Sequence, residues 1–221
     1  MAGINGSMAH LSDSFFTTAI AIYAVAAVGF VAEYAFGRRG RIAATVPAPA
    51  RELIAVGVGG AEDAGSGPVT HPPAPPPAEK RSGAERIGQW ALIITVVGLL
   101  AHGASIAIRA TAVDAVPWSN MYEFASVAGL VGVLAFVAVL YKLPAIRFLG
   151  GFILLPVILV MFFAGTVFYS DAEPLVPALK SYWLAIHVTL IAVAEGAFMT
   201  SAVLTIAFLA KQRYEIGRAH V

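Results

Sequence analysis

The sequence predicts an all-α fold: a polytopic bundle of five transmembrane helices with a disordered, Pro-rich cytoplasmic linker after the first. Three observations carry that prediction. Hydrophobic residues make up 59% of the chain and charged residues only 12%, against about 25% charge in an ordinary soluble domain. Apolar runs long enough to cross a bilayer core of ~30 Å recur along the chain. The basic residues fall in alternate segments between those runs, as membrane topology requires. The mean hydropathy of +0.81 agrees.

The first run covers about 15–36. No Lys or Arg precedes it and its apolar stretch exceeds a signal h-region, so it reads as a helix that stays in the membrane. Arg38-Arg39 follow the run, on the wrong side for a twin-arginine signal. The segment 37–86 reads as a linker. Eight of the 13 prolines lie between Val46 and Ala78, including Pro72-Pro73 and Pro75-Pro76-Pro77. Such a stretch buries too little apolar surface to offset its ordering entropy, and reads as a disordered or polyproline-like spacer. The remaining runs are about 87–108, 121–141, 148–168 and 181–210. The last, near thirty residues, is about 45 Å long as a helix, so Ser181-Tyr182-Trp183 is expected at the interface, where Tyr and Trp are enriched.

Charges between the runs set the expected orientation. Arg38, Arg39, Arg41, Arg51, Lys80, Arg81 and Arg86 lie in the linker, Lys142 and Arg147 between runs three and four, and Lys211 and Arg213 after run five. The other side carries Asp13, Asp114 with Arg109 at its edge, and Asp171 and Glu173 against Lys180. The positive-inside rule then predicts a multi-pass protein with its N-terminus outside and the end of run five in the cytoplasm.

The same arithmetic excludes function classes. A formal net charge of +1 lacks the concentrated basic face of a nucleic-acid binder. With no cysteine there is no disulfide frame, thiolate metal site or dithiol redox centre. There is no Walker loop, GxGxxG, HExxH or GxSxG, and no catalytic residue is assigned.

Polar groups inside apolar runs are costly and therefore informative. His102 lies in run two; His187 and Glu195 lie in run five, eight residues apart and on one side of the helix. His187, near the outer end, reads either as an axial ligand for haem iron or as a packed, hydrogen-bonded histidine. His102 admits the same two readings. Glu195 reads as a proton-path group or as a hydrogen-bonded link between helices. Pro117-Trp118-Ser119-Asn120-Met121-Tyr122-Glu123-Phe124 precedes run three. Ser119 or Asn120 can cap the helix, with Glu123 completing a capping-box-like pattern, and Trp118 and Tyr122 can be interface anchors. His10 and His71 read as incidental.

Together this motif and Leu175 through Val188 resemble the cytochrome c assembly family, the haem-handling membrane proteins of system II (the CcsA/CcsB/ResC type). The likeness runs from about Gln89 to Ala210, and actinobacterial members, with a long Pro/Ala-rich inner linker, are particularly similar. The resemblance implies a bacterial plasma-membrane protein of cytochrome c biogenesis. It implies haem b as the cargo, carried to the outer face and presented to apocytochrome c, where the vinyl groups join the thiols of a CXXCH motif. His187 matches the first of two external histidines that ligate the haem iron. Trp118, Asn120, Tyr122 and Glu123 would shape the outer vestibule, and His102 is a further candidate for haem contact. A ResB-type subunit, the apocytochrome and the lipid bilayer are the implied partners, and the chain would be part of a haem-lyase complex.

The chain departs from the family pattern in lacking the tryptophan-rich segment and the second external histidine; Trp90, Trp118 and Trp183 do not form that segment. Glu215 through Val221 is also the translation of a common sequencing adapter. The expectation is a fragment ending naturally near Tyr214, inactive alone, with 87–214 as a truncated assembly domain after 1–36 and the 37–86 linker. Two other readings are a small transporter working through His102 and Glu195, and a membrane scaffold acting through the linker.

Overall fold

The computed structural model describes residues 6–45, 83–113, 116, 118–173 and 181–219, with side chains described at all of these except 38–45 and 215–219. The proline-rich part of the expected linker, 46–82, and the first part of the second motif, 174–180, lie outside the described residues. Five α-helices follow in order: α1 (Gly6–Thr45), α2 (Gly83–Val113), α3 (Met121–Lys142), α4 (Gly150–Thr166) and α5 (Tyr182–Ala219). A 3₁₀ segment, Pro144–Leu149, joins α3 to α4. No strand occurs among the described residues. All five helices are long and apolar enough to cross a membrane, so the all-helical, multi-pass architecture read from the sequence holds. Helix α1 begins ahead of the apolar run and, like α2 and α5, extends beyond it. A helix satisfies its own backbone and continues through polar flanks until something stops it.

Local chemistry explains the stops. At the start of α3, Asn120 is the N-cap: its side chain accepts a hydrogen bond from Glu123 N at 3.0 Å. Glu123 reaches back, its Oε2 accepting from Ser119 N at 2.7 Å. At the other end Leu143 leaves the helical region (φ −132°, ψ 74°), as the residue before a proline must. Pro144 then opens the 3₁₀ turn, where its missing N–H costs nothing. Pro156 sits inside α4, a position tolerated in membrane helices when neighbours cover the freed carbonyl.

Helices apolar on every side do not reveal their packing face by periodicity. Packing here follows size instead. Helix α1 lies between α2 and α4; α3 packs on α4, touches α2, and carries α5 on its outer side. Along α1, Phe16, Ala19, Tyr23, Ala26 and Phe30 form one buried seam. It meets Phe136 of α3 and Ile153, Leu154, Val157 and Met161 of α4, all essentially fully buried. Helix α5 docks on α3 through Ala192, Gly196 and Thr200, one face of small residues. A Cβ on Gly196 would come within 2.5 Å of the Ala128 carbonyl oxygen and 2.8 Å of Gly132 N, so the two backbones touch. Thr200 Oγ1 donates to the Gly132 carbonyl at 2.8 Å. Close backbone approach of this kind is how membrane helices associate where apolar burial offers no gain over lipid. Large apolar side chains such as Val28, Leu100, Phe162 and Phe198 remain exposed on the outside of the bundle, where acyl chains would meet them.

The bundle has two ends. The head is where α1 and α3 begin and α2 and α4 finish. The tail is where Glu33 of α1 meets Arg147 of the 3₁₀ segment. Arg147 Nε donates to both Glu33 oxygens, at 2.9 and 3.2 Å, and Nη2 adds a third, shorter bond to Oε1. Gly88 of α2 leaves the room: a Cβ there would fall onto the Glu33 carboxylate.

Candidate functional site

The densest polar chemistry lies at the head, inside the bundle. Arg109, one turn before the end of α2, is buried. Burying an unpaired guanidinium is prohibitive, so its partners define the site. Its Nε donates to Glu123 Oε1 at 2.8 Å, its Nη1 to Asp13 Oδ1 at 3.3 Å and its Nη2 to the Ser170 carbonyl. The guanidinium lies 4.6 Å from the centre of the Tyr122 ring, a cation–π distance. Asp13 also accepts from Tyr169 at 2.8 Å and from Tyr122 at 3.4 Å. Two carboxylates therefore share one guanidinium, and two phenols complete the shell. Burial, the hydrogen bond to Asp13, and the charges of Asp13 and Asp171 push the Tyr169 phenol up to about 12.

A second polar layer lies deeper: along α2, Ser105 and His102 lie about one and two turns deeper than Arg109. Ser12 and Ser105 bond reciprocally: each hydroxyl donates to the other's carbonyl, at 2.9 and 2.8 Å. His102 is fully buried. Its Nε2 lies 3.0 Å from Ser126 Oγ and its Nδ1 3.5 Å from Tyr23 OH, and Phe16 and Tyr23 meet its ring edge-on. Between the two layers is a cavity of about 10 Å³ lined by Ser105, Ile106, Arg109, Tyr122, Glu123 and Ser126.

The residues singled out in the sequence separate into two places. Asn120, Tyr122 and Glu123 come together at the head, Asn120 as the helix cap and the other two turned inward onto Arg109. Trp118 is half-buried beside them; its indole Nε1 is enclosed, with no hydrogen-bond partner among the described residues. Ser119 Oγ donates to the Glu173 carbonyl at 2.9 Å, tying the two head loops together. His102 sits beneath this group. His187 and Glu195 are elsewhere, exposed on α5, and enter none of the hydrogen bonds or ion pairs among the described residues. Nine residues separate His187 from Gly196, so His187 lies about 180° around α5 from the docking face. Exposed Trp183 lies one turn before it. No ring nitrogen partner of His102 is on α5, so the bundle does not join His102 to Glu195. No group of three or more His, Cys, Asp or Glu able to hold a metal ion occurs among the described residues.

Sequence reasoning passed over Asp13, Arg109 and Tyr169. Arg109 counts there as a loop-edge charge, yet it is the hub. The signal was available: Asp13, Arg109 and Glu123 each abut the same-side end of successive apolar runs, and charges at that depth need partners.

Residues 118–218 match the family model described as Cytochrome C assembly protein. The "Cytochrome c biogenesis protein CcsA" of Mesostigma viride is 39% identical over 98 residues, 42% of this chain and 31% of that protein. Its namesake in Gloeobacter violaceus is 35% identical over 119 residues, 52% of this chain and 35% of that protein. That of Synechococcus elongatus is 49% identical over 43 residues, 20% of this chain and 13% of that protein. The chain spans about a third of the length of the first two relatives. No solved structure matches it.

Proposed function

We propose that this chain, whose residues 118–218 match the cytochrome c assembly protein family, is a member of that family and works in c-type cytochrome biogenesis by presenting haem to apocytochrome c at the outer membrane face. The observation that carries the reading is the family match over 118–218, which takes in the Trp118–Phe124 motif, the head loops and His187. In this reading the head of the bundle faces outward, with the basic tail in the cytoplasm of a bacterial cell. Haem b is cargo. His187, near the head and turned away from α3, supplies one axial imidazole to its iron. Trp183, 76% exposed one turn earlier, offers a flat apolar surface to the porphyrin. The second axial imidazole comes from outside the described residues. A ResB-type subunit and an apocytochrome with a CXXCH motif are the partners.

The inward cluster gives the motif a structural task within that function. Asn120 and Glu123 fix the start of α3, and Tyr122 and Glu123 lock the head loops onto Arg109. The vestibule is then held by the bundle and not by loop chemistry alone.

The test is complementation. The gene carrying this sequence, expressed with its ResB-type partner in a strain lacking its own haem-attachment system, should restore holocytochrome c. His187→Ala should abolish it and remove the low-spin haem spectrum from the purified protein. Unchanged ligation and unchanged cytochrome c maturation in that variant would remove His187 from the haem site.

A further inference from the structure

We propose that the polar column above His102 is a water-and-proton path that opens to the head of the bundle only and ends at the imidazole. The proposal does not depend on the haem assignment.

The column starts at the surface with Tyr169, which donates to Asp13, whose side chain is a quarter exposed. Asp13 is bonded to Arg109, and Arg109 to Glu123. Next comes the cavity, which touches Arg109, Glu123 and Tyr122 on one side and Ser105 and Ser126 on the other. Its volume of about 10 Å³ suits one water, and its walls supply more than the two to four polar partners a buried water needs. Ser126 then contacts His102, and His102 contacts Tyr23.

Two features distinguish this from a histidine merely packed and satisfied. Both ring nitrogens face hydroxyls, which donate or accept equally well, so either imidazole tautomer fits without any heavy atom moving. Ser126 belongs both to the histidine's contacts and to the cavity wall, and so links them. Arg109 keeps all its protons and only holds the two carboxylates in place. Water passing the carboxylates carries the proton to the cavity, Ser126 hands it to one ring nitrogen, and a proton leaves to water in return, so no other reactant is needed. Below Tyr23 the column stops. The buried Thr95 spends its hydroxyl on the Ala91 carbonyl of its own helix at 2.8 Å, and the fully buried Phe30, Phe136, Ile153 and Leu154 offer a proton nothing to bind. Among the described residues the titratable or charged groups facing the column are Asp13 and Tyr23 from α1, Arg109 from α2, Tyr122 and Glu123 from α3, and Tyr169 and Asp171 after α4. Among the described residues α4 itself contributes Met161, near His102 across Gly129.

The experiment uses the full chain in lipid nanodiscs with ¹⁵N-labelled histidine. Solid-state NMR reads how fast the His102 ring N–H exchanges with water, the signal being assigned by its loss in His102→Asn. Exchange should be at least tenfold faster than that of the backbone amides around Val133. Ser126→Val, which fills the cavity, should slow it tenfold or more. Ser126→Ala should leave it fast, because water takes the place of the hydroxyl. Asp13→Asn and Tyr169→Phe should slow it by severalfold. A wild-type His102 as protected as the Val133 amides overturns the proposal, and that measurement stands even if Ser126→Val fails to fold. Exchange indifferent to Ser126→Val, or to both head substitutions, overturns it equally.

Discussion

Removing Arg109 should cost far more than removing either of its carboxylate partners, because the charges at the head are unequal in number. The Arg109 side chain is 3% exposed, Glu123 1% and Asp13 25%. In Glu123→Gln the guanidinium keeps Asp13, the Ser170 carbonyl and the Tyr122 ring, and the amide still offers an acceptor to Ser119 N. The single amide oxygen cannot also accept from Arg109 Nε, so one charge-assisted hydrogen bond is lost, about 1.5–3 kcal/mol. In Arg109→Met two carboxylates are left facing each other, one wholly buried, and the cost rises to about 3–5 kcal/mol. Adding Asp13→Asn and Glu123→Gln to Arg109→Met should recover part of that loss, since the burden is the stranded negative charge and not the missing contact. The assay is equilibrium unfolding of the full chain in bicelles, by steric trapping or graded denaturing detergent, on all four proteins. Glu123→Gln as damaging as Arg109→Met, or a triple variant no better than Arg109→Met alone, would refute the reasoning.

The other outcomes follow from single contacts. Gly196→Val drives a side chain into the α3 backbone and should detach or displace α5 at a cost of about 1–3 kcal/mol; cysteine crosslinking between α3 and α5, in a chain with no native cysteine, reads it directly. Thr200→Val removes only the bond to the Gly132 carbonyl and should cost about 0.6 kcal/mol, no more than ~1.7, in the same unfolding assay. Asn120→Ala should lose about 1 kcal/mol of cap stabilisation, measurable as faster amide exchange in the first turn of α3. Tyr169 is raised to about 12 from an ordinary value near 10. Its protonated form is therefore the one the fold favours: the stabilisation is complete below pH ~10 and is lost as pH climbs through 12. Tyr169→Phe should flatten that alkaline slope and remove one phenolate that titrates near 12 from the ultraviolet difference spectrum.

How much of this the sequence disclosed depended on the range of each interaction. The spans were legible because hydropathy is a local sum. The start of α3 was legible because Asn120 and Glu123 are three residues apart and a cap is a local device. The inward column was not, because Ser12 pairs with Ser105 at a separation of 93 residues and His102 with Tyr23 at 79. Helices apolar on all sides give no periodic cue to say which residues face inward, so Tyr122 read equally well as an interface anchor. Arg109 was misjudged for a related reason: counted for topology, a charge at a span's edge looks solvated, and only its neighbours from three other segments reveal that it is enclosed. The face of α5 bearing His187 was half legible. Its shared side with Glu195 follows from spacing, but its opposition to the docking face needed Gly196 to be identified as the contact.

The tie at the tail has an order of events built into it. Glu33 and Arg147 are 114 positions apart. At a synthesis rate of about 5–20 residues per second, the carboxylate emerges roughly 6–23 s before its cation exists. During that interval α1 and α2 can already lie side by side, the notch at Gly88 receiving a carboxylate that has nothing yet to hold. Arg147, while unmatched, is one of the charges that keep the turn before α4 out of the membrane. Once the 3₁₀ segment has been made the same side chain can close on Glu33. A charge at the turn thereby becomes a latch, and the tail end of α1 is fastened only after α3 has been made.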